Sequence, residues 1–384
     1  MKTDPYQWFF PAGVVFGVVG VFFWIAYWAG WMPIYPGLFH SELMIGGFFL
    51  TAAAGFLMTA VPRFTGTYTA SFIEKLFFLI LVLALFAAAF FVKRLFFHVV
   101  LLFEIVFLVS FALPRFLKSA FRPAVSFVLA GFGIFSFFVA DLIFLAGDFY
   151  SISAPWRLFA RQLFFYASFY SLVLGIGTQL VPSILGLSRQ GIAKLQGPTP
   201  LNRPTADKKG TGDFFTYGLF LMASFAVESF FSAFWGKLLR AALVTFVILY
   251  YWRIYRRPLA PGLLCWCLWI SAWMVLIGGW PLVFDSVRAV HWAHILFVGG
   301  LSLMVFSIMT RVTLSHGQHG LVLERRSWGL IGMLGFLMLS LLTRVSAPFV
   351  YAYESHLAYA AMMWIFAAVC WSVFFFPKMF KKGI

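Results

Sequence analysis

The sequence predicts an all-α polytopic membrane protein of about twelve transmembrane helices with both termini in the cytoplasm, and three observations carry that prediction. Hydrophobic residues make up 63% of the 384 positions and charged residues 10%, far too little polar surface to cover a soluble domain of this size. Twelve apolar runs follow one another along the chain. Of the 28 Lys and Arg residues, 20 fall at the two ends or in the connections after even-numbered runs, and positive charge collects on the cytoplasmic side of a membrane. The net charge of +16 is therefore a topology signal, with the lipid bilayer as the partner and no nucleic acid implied.

About 20 apolar residues cross a bilayer core as a helix. The first run, 8–28, follows only MKTDPYQ; it is longer than a signal-peptide core and has no small-residue cleavage pattern, so it is expected to stay as helix 1. Run 37–60 opens at His40, with Glu42 beside it. Runs 76–92 and 96–113 give helices 3 and 4, the latter opening at His98 and carrying Glu104. Run 123–146 carries Asp141, and run 158–181 begins beside Arg157 and Arg161. The longest connection, 182–213, contains Gly, Pro and Lys and reads as a cytoplasmic loop within one transmembrane domain, 1–384. Runs 214–235, 238–251 and 261–279 follow, with Glu228 in the seventh and Cys265 and Cys267 in the ninth. One intervening residue sets those thiols on nearly opposite sides of a helix, which is poor metal-site geometry, and three cysteines give no disulfide framework. Runs 290–309, 328–342 and 357–376 complete the set.

The tenth run organises the histidines. His291 and His294 lie at its start and His316 and His319 beyond its end, so four of the seven histidines belong to one segment. The 22-residue interval from His294 to His316 would be about 33 Å long as a helix, which places the two pairs near opposite membrane faces. His40, His98, His291, His294 and His356 all fall near the outer face. Histidine inside a membrane helix usually faces the protein interior, where it binds an ion, relays protons or holds a cofactor; an interfacial histidine reaching water is the alternative for each one singly.

A repeat is also visible. The inner ends of helices 2, 6 and 10 read GFLMTAVPRFTG, GIGTQLVPSILG and SIMTRVTLSHG, each with a threonine two or three residues before a valine. A spacing of four helices predicts three four-helix pseudo-repeats.

The same residues carry a family resemblance. Helix 2, with His40, Met44, Gly47, Phe48 and GFLMTAVP, and helix 10, with His294, Val298, Gly299 and MTRVTLSH, resemble the NnrS family. The resemblance implies a multi-pass, haem-containing protein of the bacterial inner membrane, described as also holding copper and linked to the response to nitric oxide. It carries over His40, His294, Arg311 and His316 as candidate functional residues. The family pattern H-x-H-E-M becomes His40, Ser41, Glu42, Leu43 and Met44 here, and the family's G-G-R before a proline is replaced by Gly177, Thr178 and Gln179 ahead of Val181 and Pro182.

The architecture is similar to that of the catalytic subunit of haem-copper oxidases, with haem histidines on helices 2 and 10. Two axial imidazoles reach one iron most easily from different helices at equal depth, which His40 and His294 satisfy. The expected cofactor is a haem of b type, with copper at His316 as a further candidate that needs ligands from elsewhere. His291, one turn before His294, is a second-site ligand or a hydrogen-bond partner to a propionate. Arg157 and Arg161 are candidate propionate partners or interfacial anchors, and Gly47 would let a flat macrocycle approach helix 2. Helices 6 and 7 lack the histidines that an oxygen-reducing copper centre needs, Glu228 being the nearest polar substitute.

Glu104, Asp141 and Glu228 should be paired, protonated or facing a wet cavity. They form a proton or ion route on one reading and interhelical hydrogen bonds on another. The expected function is nitric oxide binding, detoxification or a related redox step, with a small diatomic ligand and an electron-donor protein as partners. The alternatives are a proton or metal-ion transporter without a cofactor, and a non-catalytic membrane subunit of a respiratory complex.

Overall fold

The computed structural model describes residues 3–91, 94–121, 123–188, 209–320 and 322–380. The predicted loop 182–213 falls largely outside them. Among the described residues the chain forms twelve helical rods and no strand: α1 Pro5–Trp28, α2 Gly37–Thr65, α3 Phe72–Ala88, α4 Leu95–Leu117, α5 Phe127–Phe149, α6 Ala154–Ile184, α7 Lys209–Phe230, α8 Ala233–Trp252, α9 Leu263–Phe284, α10 Ala289–His316, α11 Val322–Phe349 and α12 Tyr353–Phe380. Ten of them are long and apolar enough to cross a membrane, and α3 and α7 complete the set. An all-helical answer follows from the solvent, because lipid offers no partner to a backbone N–H or C=O and a helix satisfies both internally.

Local chemistry fixes the ends. The Gln7 side chain accepts from the Asp4 N–H at 2.7 Å at the start of α1, and Ser71 and Glu74 form a reciprocal capping box before α3. Gly66 and Gly186, at φ 65° and 73°, turn the chain out of α2 and beyond α6, in the left-handed conformation that glycine adopts without penalty. The rods also run past their apolar runs: α8 begins at Ala233 and α11 continues to Phe349, because short polar caps extend a helix that hydrophobicity alone would end sooner.

Three four-helix units are evident in the packing. In each unit the first helix packs on the second, the third on the fourth and the second on the fourth, and the units join through α4 on α5, α8 on α9 and α12 on α1. The second helices line the axis. Phe48 meets Phe306, Phe49 meets Phe169 and Tyr166 meets Phe297, at 5.2–5.7 Å between ring centres. The most apolar windows of α2, α10 and α6 are 83%, 72% and 61% buried, more than those of any other span, which is the burial order a central position requires.

Each second helix contains a π-helical segment near its predicted outer end: Leu43–Phe49 in α2, Leu163–Ala167 in α6 and Ile295–Ser302 in α10. Such insertions are uncommon and gather at functional sites. Three of them at matching places support the repeat more strongly than the sequence similarity does. Trp252 donates to Thr178 at 3.1 Å and Trp371 to Thr310 at 2.8 Å, a fourth-helix indole on the second-helix motif threonine in two of the units.

The termini of the helical bundle share one face. Gln7 donates to the Met379 carbonyl, while Trp28 and Ser355 meet at 3.0 Å at the other end of α1 and α12.

Candidate functional site

The start of α2 and the start of α10 meet at the face opposite the termini. His40 and His294 lie with ring centres 6.4 Å apart and planes 7° from parallel. Both imidazoles are oriented from behind. The Nδ1–H of His40 donates to the Gly20 carbonyl of α1 at 3.1 Å, and that of His294 to the Val290 carbonyl at 2.6 Å. A carbonyl only accepts, so each Nδ1 carries the proton and each Nε2 keeps its lone pair, the arrangement that metal-binding histidines use. Gly20 allows this, since a Cβ there would meet the Leu43 Cβ at 3.0 Å and push α1 away from α2. Trp24 lies edge-on to His40 and Phe297 edge-on to His294.

Two histidines leave most of a metal's coordination sphere unfilled. Among the described residues no group of three or more His, Cys, Asp or Glu side chains is placed to hold a metal ion. A haem needs only axial ligands from the protein, because its macrocycle supplies the other four. An imidazole nitrogen lies about 2 Å from a bound metal and its ring centre roughly 1 Å further back, so axial rings on one metal have centres about 6 Å apart. The pair fits that requirement.

Gly47 does not serve as an open cradle: a Cβ there would meet the Phe16 ring at 2.3 Å, so the glycine admits α1 packing. Arg157 and Arg161 are exposed. Arg157 donates to the Ile152 carbonyl at 2.9 Å, Arg161 acts electrostatically on Tyr166, and neither meets the histidines in a hydrogen bond or ion pair. The guanidinium that sequence reasoning missed is Arg344, near the end of α11. It is 7% exposed, donates to the Nδ1 of His291, and lies close enough to act electrostatically on His40 and His294. The same Nδ1 lies 3.4 Å from the Arg344 backbone carbonyl, so His291 is tied to Arg344 through both its side chain and its backbone.

The other outer polar groups are paired. Glu42, which stands where the family has a histidine, binds Arg94 at 2.6 Å. His98 contacts Asp141 at 2.6 Å with both side chains sealed from solvent. Glu228 meets Arg240 at 2.6 Å and accepts from Gln162 at 2.9 Å, which removes it as a free copper ligand. Glu104 is fully buried, and neither of its carboxyl oxygens has a partner among the described residues. Cys265 and Cys267 are buried and free.

At the opposite face, Arg63 donates to the Nε2 of His316 at 2.7 Å and Asp4 lies 3.6 Å from its Nδ1. The neighbouring His316 imidazole is the main cause holding the Asp4 carboxyl below its ordinary value of 3.8. His319 donates from Nε2 to the Lys378 carbonyl at 2.7 Å, and Arg311 pairs with Glu324. Arg63 occupies the Nε2 of His316 and Asp4 stands off its Nδ1, so the candidate copper ligand is engaged in an ionic latch between the ends of α2 and α10 and the start of α1.

The family model for NnrS protein matches residues 2–382. The chain belongs to the NnrS family. Membership makes it a multi-pass membrane protein of a family associated with the nitric oxide response. No curated protein matches the chain.

Proposed function

We propose that this NnrS-family protein binds one haem, of b type, between α2 and α10, with His40 and His294 as axial ligands, and that it binds or detoxifies nitric oxide. The parallel, backbone-anchored imidazole pair carries this reading. Bound there, a haem would supply an iron able to carry an electron with both imidazoles on it, and able to take a diatomic ligand where only one of the two histidines ligates. The chain's own residues hold the two imidazoles in one tautomer, pack Trp24 and Phe297 edge-on against them, and place a cation beside the pair. Lys and Arg asymmetry supports a cytoplasmic terminal face and an outer-face histidine pair, and the bacterial inner membrane is what the family resemblance implies. An electron donor then approaches from outside. Copper has no complete ligand set at His316 among the described residues.

A proton or metal-ion transporter is the second reading, supported by the unpartnered Glu104 on the same helix as the His98–Asp141 pair. The absorption spectrum of the purified protein decides. A Soret band with sharp reduced visible bands is expected, and a colourless preparation of folded protein would favour transport.

A further inference from the structure

Four basic side chains are nearly fully buried among the described residues: Lys75, Arg115, Arg240 and Arg344. Arg115 pairs with Glu74 at 2.8 Å and Arg240 with Glu228 at 2.6 Å. The Lys75 ammonium donates to the Thr3 carbonyl at 2.5 Å and lies within electrostatic reach of Asp4. Arg344, like Lys75, has no carboxylate within ion-pair distance among the described residues, and unlike Lys75, which acts on Asp4, it interacts electrostatically with the phenols Tyr353 and Tyr35 and with no acid. A guanidinium cannot discharge itself, and a buried charge without a counter-ion carries a heavy desolvation cost.

What surrounds Arg344 is a set of polar side chains. The His291 Nδ1 lies against both the Arg344 guanidinium and, at 3.4 Å, the Arg344 backbone carbonyl, which fixes the imidazole beside the cation. Tyr353 lies edge-on to His291 at 5.7 Å and within electrostatic reach of Tyr35, and both phenols interact electrostatically with Arg344. Burial raises the Tyr35 phenol above its ordinary value, so it remains a donor at neutral pH. A cation, an imidazole and two hydroxyls without an acid form a cradle for an anionic oxygen group, and the cradle borders the His40–His294 pair.

We propose that the buried Arg344, with the half-buried His291 and Tyr353 and the exposed Tyr35 at its rim, is a seat for a carboxylate or small oxyanion, occupied by the carboxylate arm of the macrocycle that His40 and His294 hold. The choice of occupant rests on the haem reading above, whereas the anion seat itself rests on Arg344. A free oxyanion such as nitrite has the same recognition chemistry. The seat makes Arg344 a positioning residue that fixes which way round a haem enters.

Reconstitution of haem-free protein with protohaem and with its dimethyl ester tests the proposal, because the ester keeps the iron and ring but lacks both negative charges. Equilibrium dialysis of the haem-free protein against nitrite tests the other source. Wild type is expected to prefer protohaem by roughly ten- to hundredfold, the range of hydrogen bonds to charged groups. Arg344→Gln should lose that preference while binding the ester as wild type does, and Arg344→Lys should keep part of it. Retained ester binding shows that the variant is folded; if Arg344→Gln does not fold, the Tyr35→Phe, Tyr353→Phe double variant takes its place with a smaller loss of preference. No preference in wild type together with nitrite binding abolished by Arg344→Gln would keep the seat and assign it to a free oxyanion. No preference and no Arg344-dependent nitrite binding overturns the proposal. If neither haem binds, the function above fails and the nitrite arm alone decides the seat.

Discussion

The planes of His40 and His294 lie 7° from parallel although the two residues are 254 positions apart on helices from different repeats. Each ring is held by a backbone carbonyl on its far nitrogen, so the pair is preset to receive something at the two remaining nitrogens. Alanine at either position should abolish or severely reduce bound haem in membrane-inserted protein. Alanine at His98 or His356 should leave most of it, since His98 is committed to Asp141 and His356 to its own helix through the Ala352 carbonyl. The ratio of haem absorbance to protein measures this, and full retention in His40→Ala would defeat the two-helix site.

His291 is the rival ligand, one turn from His294. Its Nδ1 is engaged by Arg344, so His291→Ala is expected to keep its haem with a disturbed spectrum, while His294→Ala loses it. Loss in the first with retention in the second would move the ligand by one turn.

The architecture was legible because lipid imposes it: a crossing helix must be long, apolar and almost free of charge, and that pattern needs no tertiary information. The depth of His40 and His294 was legible for the same reason, each standing at the start of a counted helix. The π segments were not, because Leu43–Phe49 and Ile295–Ser302 have the same apolar composition as regular helix. Arg344 was hidden among the basic residues of the outer connections, and nothing in its neighbours marked it as buried. Pairs such as Glu42–Arg94 and His98–Asp141 depend on which faces of which helices meet, and only packing decides that. Arg344 stands two residues beyond the end of the eleventh apolar run, 328–342, where a basic residue reads as an interfacial anchor.

Reporter fusions at Lys209 and Gln318 should both report the cytoplasm. Gln318 follows the latch at His316, on the face shared by the termini, and the even number of crossings puts the two ends on one side. An external signal from either fusion would turn the histidine pair to the cytoplasmic face.

The latch of Asp4, Arg63 and His316 should weaken in acid. A carboxyl whose folded value lies below its unfolded one contributes its full stability above the unfolded value and loses it as pH falls through the folded one. For Asp4 the loss therefore begins near its ordinary value of 3.8 and continues below it. Amide exchange of residues 4–8 followed from pH 6 to pH 3 should rise in wild type and be pH-flat, beyond the intrinsic exchange rate, in Asp4→Asn. Copper content should be equal in wild type and His316→Ala, because among the described residues no set of three or more His, Cys, Asp or Glu side chains is placed to hold a metal ion and Arg63 already occupies the His316 Nε2; a drop confined to the variant would restore His316 as a metal ligand.

Buried ion pairs between helices give the last prediction. Glu228 on α7 and Arg240 on α8 are each almost sealed from solvent and lie 2.6 Å apart, with Gln162 of α6 donating to the same carboxylate. Close packing reinforces the contact, since a Cβ on Gly236 would run into the Glu228 backbone at 2.3 Å. Removing one partner strands the other charge away from water, which typically costs about 3–5 kcal/mol, whereas replacing both by apolar groups of similar volume is often nearly neutral. Glu228→Leu and Arg240→Met should therefore each lower the thermal midpoint in detergent sharply, and the double variant should recover most of the loss. Additive losses in the double variant would show that the two charges act independently. Haem content gives a second readout: it should follow folded protein in all three variants, because this pair belongs to the second repeat and the histidines to the first and third.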